Sequence, residues 1–268
     1  MITLTLGRPY ELAWNEVCAP TWRAYAARHG YDVIAINRPL DTSVRAAMRS
    51  PAWQKLLVLR PEAASGYDRI IWIDADIVIN PDAPAVTEAV PIEKIGAIDE
   101  LAWAPQEQRT RVYLELARLF PTVAAIQRSY LNGADYHHLW GLPRRGEHIL
   151  QTGVLVLSPK HRNLFEEVYL LEQKGGAEMN YEMRPLSFAM QERGVYHLLD
   201  PRFNSIFMLS EYRRRVCDGI PCPTQEALLT FIASEYRRNY FLHFAGTQSL
   251  LTAARIALSK STTLADRP

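Results

Sequence analysis

The stretch Tyr67-Asp68-Arg69-Ile70-Ile71-Trp72-Ile73-Asp74-Ala75-Asp76-Ile77-Val78-Ile79-Asn80-Pro81 decides the reading of this chain. Ile70 to Ile73 is an unbroken apolar run of β-forming residues, the pattern of a buried strand. It ends in two carboxylates one residue apart. A second apolar run, Ile77 to Ile79, follows at once, and Asn80-Pro81 stops it. Carboxylates are costly inside so apolar a segment unless something neutralises them. Alternation would put Asp74 and Asp76 on one side of an extended chain, where they repel unless a cation or proton intervenes. An isolated Asp-X-Asp is most often a solvated turn. At the carboxyl end of a buried strand it points instead to a hard divalent cation, which takes oxygen ligands and bridges a protein to phosphate oxygens.

The flanking sequence predicts where that strand sits. Ile2 to Leu6 reads as a first strand closed by Gly7. Tyr10 to Arg28 reads as a helix ending at His29-Gly30, and Tyr31 to Ile36 as a second strand. Strand, helix, strand at this spacing is a βαβ unit, hence a parallel sheet and a doubly wound core. Trp53 to Ala64 reads as a helix with Trp53, Leu56, Leu57 and Arg60 on one side. Further strands are predicted at Ile95 to Ile98, ending in Asp99-Glu100, and at Ile149 to Leu157 around Gln151-Thr152-Gly153. Helices are predicted over Gln106 to Leu119, Asn163 to Gln173 (ended by Gly175-Gly176) and Tyr181 to Arg193. Val195 to Leu199 follows as a strand and Phe241 to Gly246 as a late strand or turn. Ser249 to Ser259 reads as an amphipathic helix before a frayed tail. The segment Tyr130 to Gly146, polar and rich in aromatics and histidine, is where acceptor-binding structure is expected. The fold class is therefore α/β, a single domain with a mostly parallel central sheet flanked by helices. About 1–100 would form a nucleotide-binding half, about 101–250 an acceptor-binding half, and 251–268 a C-terminal helix and tail.

Composition narrows the function classes. The 268 residues are 48% hydrophobic and 22% charged, ordinary for a globular protein, with a formal net charge of +1. No global basic field points to nucleic acid. Arg144-Arg145, Arg213-Arg214-Arg215 and Arg237-Arg238 read as solvated faces. The first residues carry no basic segment before an apolar one, and no apolar run approaches ~20 residues. The C-terminal helix is expected to pack on the core, so membrane contact is at most peripheral. Cys18, Cys217 and Cys222 lack a CxxC spacing. They fit reduced thiols in a cytoplasmic protein, with a Cys217–Cys222 bridge possible but unneeded.

In order along the chain come Trp53-x-Lys55, the Tyr67 to Asp76 motif, Gln151-Thr152-Gly153-Val154-Leu155-Val156-Leu157, a helix opened by Glu182, and His243-Phe244-Ala245-Gly246. This order resembles the nucleotide-sugar-dependent glycosyltransferases of GT-A fold, closest to the retaining families 8 and 34, over about residues 2 to 250. The resemblance implies that Asp74, Asp76 and His243 bind Mn²⁺ (or Mg²⁺), which grips the diphosphate of a UDP-sugar. Ala75 and Gly246 would border the donor, and Lys55 would reach it. Gln151 would meet the donor sugar, and Glu182 would stand for the acidic residue near the anomeric carbon. Acceptors of such enzymes are carbohydrates, lipid-linked sugars or small molecules.

The chemistry agrees with that assignment. Breaking a sugar–diphosphate bond requires the leaving charge to be neutralised, which a cation and Lys55 could do. A histidine in the ligand set fits Mn²⁺ better than Mg²⁺. With retention, Glu182 or Gln151 would stabilise an oxocarbenium-like centre while the leaving phosphate takes the acceptor proton. Inversion would need a carboxylate base such as Asp99, Glu100, Asp135 or Glu147. The chain departs from family 8 at Ser249, where a lysine is usual, and at Glu182-Met183, where Asp-Gln is usual. Lys55 or the tail residue Lys260 would then supply the missing charge. His137-His138 reads as a solvent or acceptor contact rather than a metal pair. Two rival readings stand beside this one. Asp74-Ala75-Asp76-Ile77-Val78 also satisfies the motif of haloacid-dehalogenase-like phosphatases, with Asp74 as nucleophile and Asp218 the one acid available downstream. The third reading is a non-catalytic scaffold of sugar-nucleotide fold that binds a partner through Tyr130 to Trp140.

Overall fold

The computed structural model describes residues 1–120, 132–139, 141–171, 182–221 and 224–265, with side chains up to 259. Tyr130, Trp140, Gly175-Gly176, Cys222 and the Lys260 side chain, all used in the sequence reading, lie outside that description. Nine short strands carry the architecture of the described residues: β1 Ile2–Leu4, β2 Ile34–Ile36, β3 Ile70–Ile73, β4 Ile77–Ile79, β5 Ile95–Ala97, β6 Val154–Leu157, β7 Tyr196–Leu198, β8 Ser205–Ile206 and β9 Phe241–His243. Six of them form the central sheet in the order β2-β1-β3-β6-β5-β7. The expected βαβ unit is there, with β1 parallel to β2 and Thr3 opposite Ala35. The sheet is mostly parallel as expected, but β6 runs against both its neighbours, pairing Ile73 with Val154 and Gly96 with Val156.

The central strands do not alternate because both faces are covered. Ile71, Ile73, Val154 and Val156 face a core shared with Trp22, Tyr25 and the buried side of the C-terminal helix. Ile70, Trp72, Leu155 and Leu157 face a second core with Trp53, Leu56, Phe165 and Leu186. Gly30 closes the first helical run in a left-handed conformation at φ 70, as the sequence indicated. Before that cap, five residues, Trp14–Cys18, are wound as a π-helix between Arg8–Ala13 and Ala19–His29.

Several elements differ from expectation. The predicted helix over Trp53 to Ala64 is a 3-10 segment, Pro51–Leu57, followed by the short helix Pro61–Ala64. Trp53, Gln54, Lys55, Leu56 and Leu57 are all buried, so no single face is turned inward. The C-terminal helix runs Leu251–Ala265, past the expected end. Two helices unread in the sequence, Phe207–Val216 and Gln225–Arg238, fill the interval before β9. Arg213 to Arg215 are half-buried rather than solvated, with Arg214 over the Phe231 ring at 4.4 Å and Arg215 over Tyr212 at 5.1 Å. His137 lies on the helix Gly133–Leu139 and is fully buried, with Nδ1 on the Arg145 carbonyl at 2.9 Å. It is a packing residue, not an acceptor contact. Cys18 and Cys217 are free thiols. Among the described residues no helix is long and apolar enough to cross a membrane.

A second sheet, β4-β9-β8, stands beside the first. Asp74, Ala75 and Asp76 form the turn that carries the chain from β3 in the large sheet to β4 in the small one. Trp22 donates its indole N–H to the Ile77 carbonyl at 2.7 Å, tying that turn to the first helical run. Phe241 on β9 is fully buried, with Tyr25 and Phe203 edge-on at 5.3 and 5.4 Å. Truncating it removes a large volume from a packed layer, so Phe241→Ala should cost about 3–5 kcal/mol in a urea titration. Leu114→Ala, on a residue 52% exposed, should change stability by no more than about 0.5 kcal/mol.

Candidate active site

Strand pairing brings the separated motifs to one point. β4 and β9 are antiparallel with Ile77 opposite His243, so the imidazole emerges beside Asp76. The Phe244 N–H donates to the Asp76 carbonyl at 3.0 Å, and the Asp74 N–H to the Gly153 carbonyl at 2.8 Å. The aspartate turn is thereby held by its backbone from both sheets. His243 Nε2 lies 3.0 Å from Asp76 Oδ1 and 3.9 Å from Asp74 Oδ2. Gly246, at φ 69, makes the turn that follows β9.

Asp74 divides its two oxygens between two tasks. Oδ1 receives the Lys55 ammonium at 2.9 Å and the Trp72 indole N–H at 3.0 Å, while Oδ2 faces His243. Lys55 is buried and also contacts Glu182 Oε1 at 2.9 Å and the Thr152 carbonyl at 3.3 Å. Thr152 donates its hydroxyl to Glu182 at 2.9 Å. The Lys55 charge is thus held between two carboxylates while the residue lines the cavity that opens against this site.

The electrostatics follow from burial set against partners. Burial raises the Asp74 carboxyl, and this outweighs the opposing charges of Lys55 and His243. Burial also acts on Asp76, but there the His243 charge and hydrogen bond win and hold the carboxyl below its ordinary range. Burial lowers His243, yet the Asp76 charge and hydrogen bond raise it overall. For Lys55 burial is likewise overcome, by Asp74 and then Glu182, and the ammonium is raised.

Gln151 and Glu182 are both buried behind the aspartates, Glu182 with Oε1 against Lys55 and the Thr152 hydroxyl. Gln151 Oε1 accepts from the Asn204 amide, and Asn204 Oδ1 accepts from His243 Nδ1 at 2.8 Å. The Glu100 carboxyl is pushed up to about 7 by burial and then by the Asp99 charge, with Gln151 acting in the opposite direction. Asn204, at the end of the 3-10 turn Pro201–Asn204, was not read in the sequence. The signal for it is chemical: a metal-facing histidine needs an acceptor for its other nitrogen. A Cβ on Gly153 would fall 2.9 Å from both Asn204 Nδ2 and His243 Cε1, so only glycine lets β6 approach this group.

The other proposed bases lie elsewhere in their bonding. Asp99 pairs with His148 Nδ1 at 2.8 Å and caps Leu101. Asp135 pairs with Arg144, and the Glu147 side chain is 91% exposed. Asp218 is exposed beyond the Phe207–Val216 helix rather than on a strand.

A cavity of about 850 Å³ opens against this site. Lys55, Trp72, Asp74, Ala75 and Asp76 form its floor, Leu4, Leu6 and Tyr10 one wall, and Gln248 and Ser249 another. Gln248 Nε2 reaches Asp76 Oδ2 at 3.4 Å. Ser249, where the resembling family carries lysine, therefore does line the cavity. Among the described residues no three His, Cys, Asp or Glu side chains already stand as a metal-coordinating group. The donors nonetheless suit a divalent ion. Octahedral bonds of about 2.1 Å put adjacent ligands about 3 Å apart, which the 3.0 Å Asp76–His243 separation meets and the 3.9 Å Asp74–His243 separation exceeds.

No protein-family model matches the chain, and no curated protein matches it in sequence. Its fold is similar to that of a glycosyltransferase involved in glycosylation of the major capsid of PBCV-1. That likeness has 14% identity, 94% of this chain and 98% of that chain covered, and a TM-score of 0.53. An active-site mutant of LgtC, and the galactosyltransferase LgtC in complex with donor and acceptor sugar analogs, are each 13% identical, with 91% of this chain and 87% of theirs covered. Their TM-scores are 0.43 and 0.40. The chain thus has a mixed α/β fold with a six-stranded central sheet that matches the GT-A glycosyltransferase fold.

Lys55→Met leaves two carboxylates without their cation in a buried site. A loss of about 3–5 kcal/mol in denaturant unfolding is expected. Glu100 gives a pH dependence. Its folded value of about 7 lies above its ordinary 4.5, so its stabilising contribution is complete below about pH 4.5 and lost as pH rises through about 7. Melting curves across that window should show a decline of at most about 3 kcal/mol that Glu100→Gln removes.

Proposed function

We propose that this protein is a glycosyltransferase that takes a nucleotide-activated sugar, a UDP-sugar, with Mn²⁺ or Mg²⁺. One observation carries the reading: Asp74 and Asp76 line an 850 Å³ cavity at the carboxyl end of a central strand in a GT-A-type fold, with the buried His243 3.0 Å from Asp76. The cavity is large enough for a nucleotide sugar and its apolar wall suits a base. Asp74 Oδ2, Asp76 and His243 Nε2 would hold the cation. When bound, the cation neutralises charge on a departing diphosphate.

The protein's own groups prepare that chemistry. Lys55 and Trp72 fix the Asp74 carboxylate through Oδ1 and leave Oδ2 directed at His243. Glu182, paired with Lys55, would stand for the acidic residue near the positive charge that develops on a sugar ring. This favours transfer with retention, the departing phosphate taking the acceptor proton. The acceptor would be a carbohydrate, a lipid-linked sugar or a small molecule, met in the cytoplasm, and families 8 and 34 remain the groups the motifs resemble. The phosphatase reading is disfavoured because Asp218, the one downstream acid it has, is exposed beyond the Phe207–Val216 helix rather than on a strand beside Asp74.

Thermal melts with UDP and Mn²⁺ together test this directly. Ligand at about a hundred times Kd should raise Tm by about 5–10 °C. Asp76→Ala should abolish the Mn²⁺-dependent part of that rise and of UDP-sugar hydrolysis. No shift with any nucleoside diphosphate would leave the scaffold reading, and turnover of p-nitrophenyl phosphate alone would establish the phosphatase.

A further inference from the structure

The three most exposed large apolar side chains among the described residues come together from opposite halves of the chain. Val44 is 77% exposed and Met48 73%, on and just after the short helix Val44–Ala47. Leu170, 61% exposed, ends the helix Arg162–Leu170, and Leu171, 46% exposed, follows it. Two arginines hold these elements side by side. Arg45 donates to the Leu170 carbonyl at 2.9 Å, and the buried Arg49 donates to the Tyr169 and Leu171 carbonyls. Single surface leucines need no explanation, whereas an apolar cluster clamped in the open marks a contact surface.

The charge around the cluster selects its partner. Residues 37–50 carry Arg38, Arg45 and Arg49 against one acid, Asp41. Asp41 is already engaged, by the Tyr169 hydroxyl at 2.6 Å and the Ser43 N–H at 2.8 Å. Glu166 and Glu167 on the second element pair elsewhere, with Arg60 and Arg193. Among the described residues no carboxylate pairs with Arg38 or Arg45. A second copy seated here about a two-fold axis would set these like charges against one another. Val44 and Met48 project into solvent, which suits a soft surface where apolar tips sink in and basic groups meet anionic headgroups. We propose that Val44, Met48, Leu170 and Leu171, flanked by Arg38 and Arg45, dock this protein on the surface of a bilayer containing anionic lipid. Ser50 and Pro51, just beyond Met48, line the cavity, so its mouth would open beside the lipid. That placement favours lipid-linked sugars among the proposed acceptors, a consequence that alone rests on the glycosyltransferase reading.

Vesicle flotation with the full chain tests this, comparing pure phosphatidylcholine with phosphatidylcholine containing about 30% phosphatidylglycerol. Binding to the anionic vesicles should be at least about tenfold stronger, and should fall steeply as salt rises from about 0.1 M to about 1 M. Arg38→Gln with Arg45→Gln should weaken it about tenfold. Val44→Ser with Met48→Ser should weaken it about tenfold or more. Leu114→Ser, an exposed apolar site elsewhere, should leave it unchanged. All these positions are exposed, so Tm should stay within about 2 °C of wild type and separate lost docking from lost folding. No binding to anionic vesicles, equal binding to both compositions, or binding that survives either pair of changes overturns the proposal. So does a dimer that Val44→Ser with Met48→Ser dissolves, in a protein that ignores vesicles. The Tm rise with UDP and Mn²⁺ is a separate readout. Docking without that rise would refute the donor reading and leave the docking surface standing; the rise without docking would do the reverse.

Discussion

The structure turns on one buried cation, the Lys55 ammonium, set between Asp74 and Glu182. Three groups with charge and little access to water would be ruinous singly. Together they satisfy one another, and the contact joins four parts of the chain: the Pro51–Leu57 segment, the end of β3, the Thr152 backbone and the start of the Met183–Glu192 helix. Asp74 can end a strand inside the protein because Lys55 meets one of its oxygens. The other oxygen is then directed across the inter-sheet turn toward His243. Site and core are therefore not separable here. The group that stabilises the buried carboxylate also dictates which lone pairs it offers.

The sequence made legible what is local. Ile70 to Ile73 is a buried strand because an unbroken apolar run suits a strand covered on both sides, and the turn at Asp74 to Asp76 follows from what cannot continue it. The first βαβ unit and the Gly30 cap are likewise local signals. Asp76 and His243 meet because β4 and β9 pair. What stayed hidden is non-local. Nothing around β6 announces that it runs antiparallel to its neighbours, because reversal is decided by connections on either side. The Pro51–Leu57 segment looked helical because Leu56 and Leu57 recur at helical spacing after Trp53. Pro61 and five consecutive buried residues show a chain packed from several sides instead. Asn204 carries no pattern at all, and its meaning arises only when β9 lays His243 across it.

Polar groups behind the aspartates are arranged as strictly as the hydrophobic layers around them. Asn204 joins Gln151 to His243 through the two polar atoms of its amide, so these three side chains hold one another in place. Gly153 makes this possible by having no side chain where Asn204 and His243 meet. The small sheet, β4-β9-β8, then serves as the platform that carries one half of the site up to the other.

The Asp74–Asp76 turn has a mechanical consequence. It is the direct covalent span from the large sheet to the small one, with one carboxylate rooted on each side and His243 borne by the small sheet alone. The 3.9 Å gap from Asp74 to His243 is a span between layers, while the 3.0 Å contact from Asp76 to His243 lies within one. Sliding the sheets against each other would change the first and spare the second. The pair of distances thus works as a caliper, in which one jaw is fixed and the other reports how far the two layers have closed.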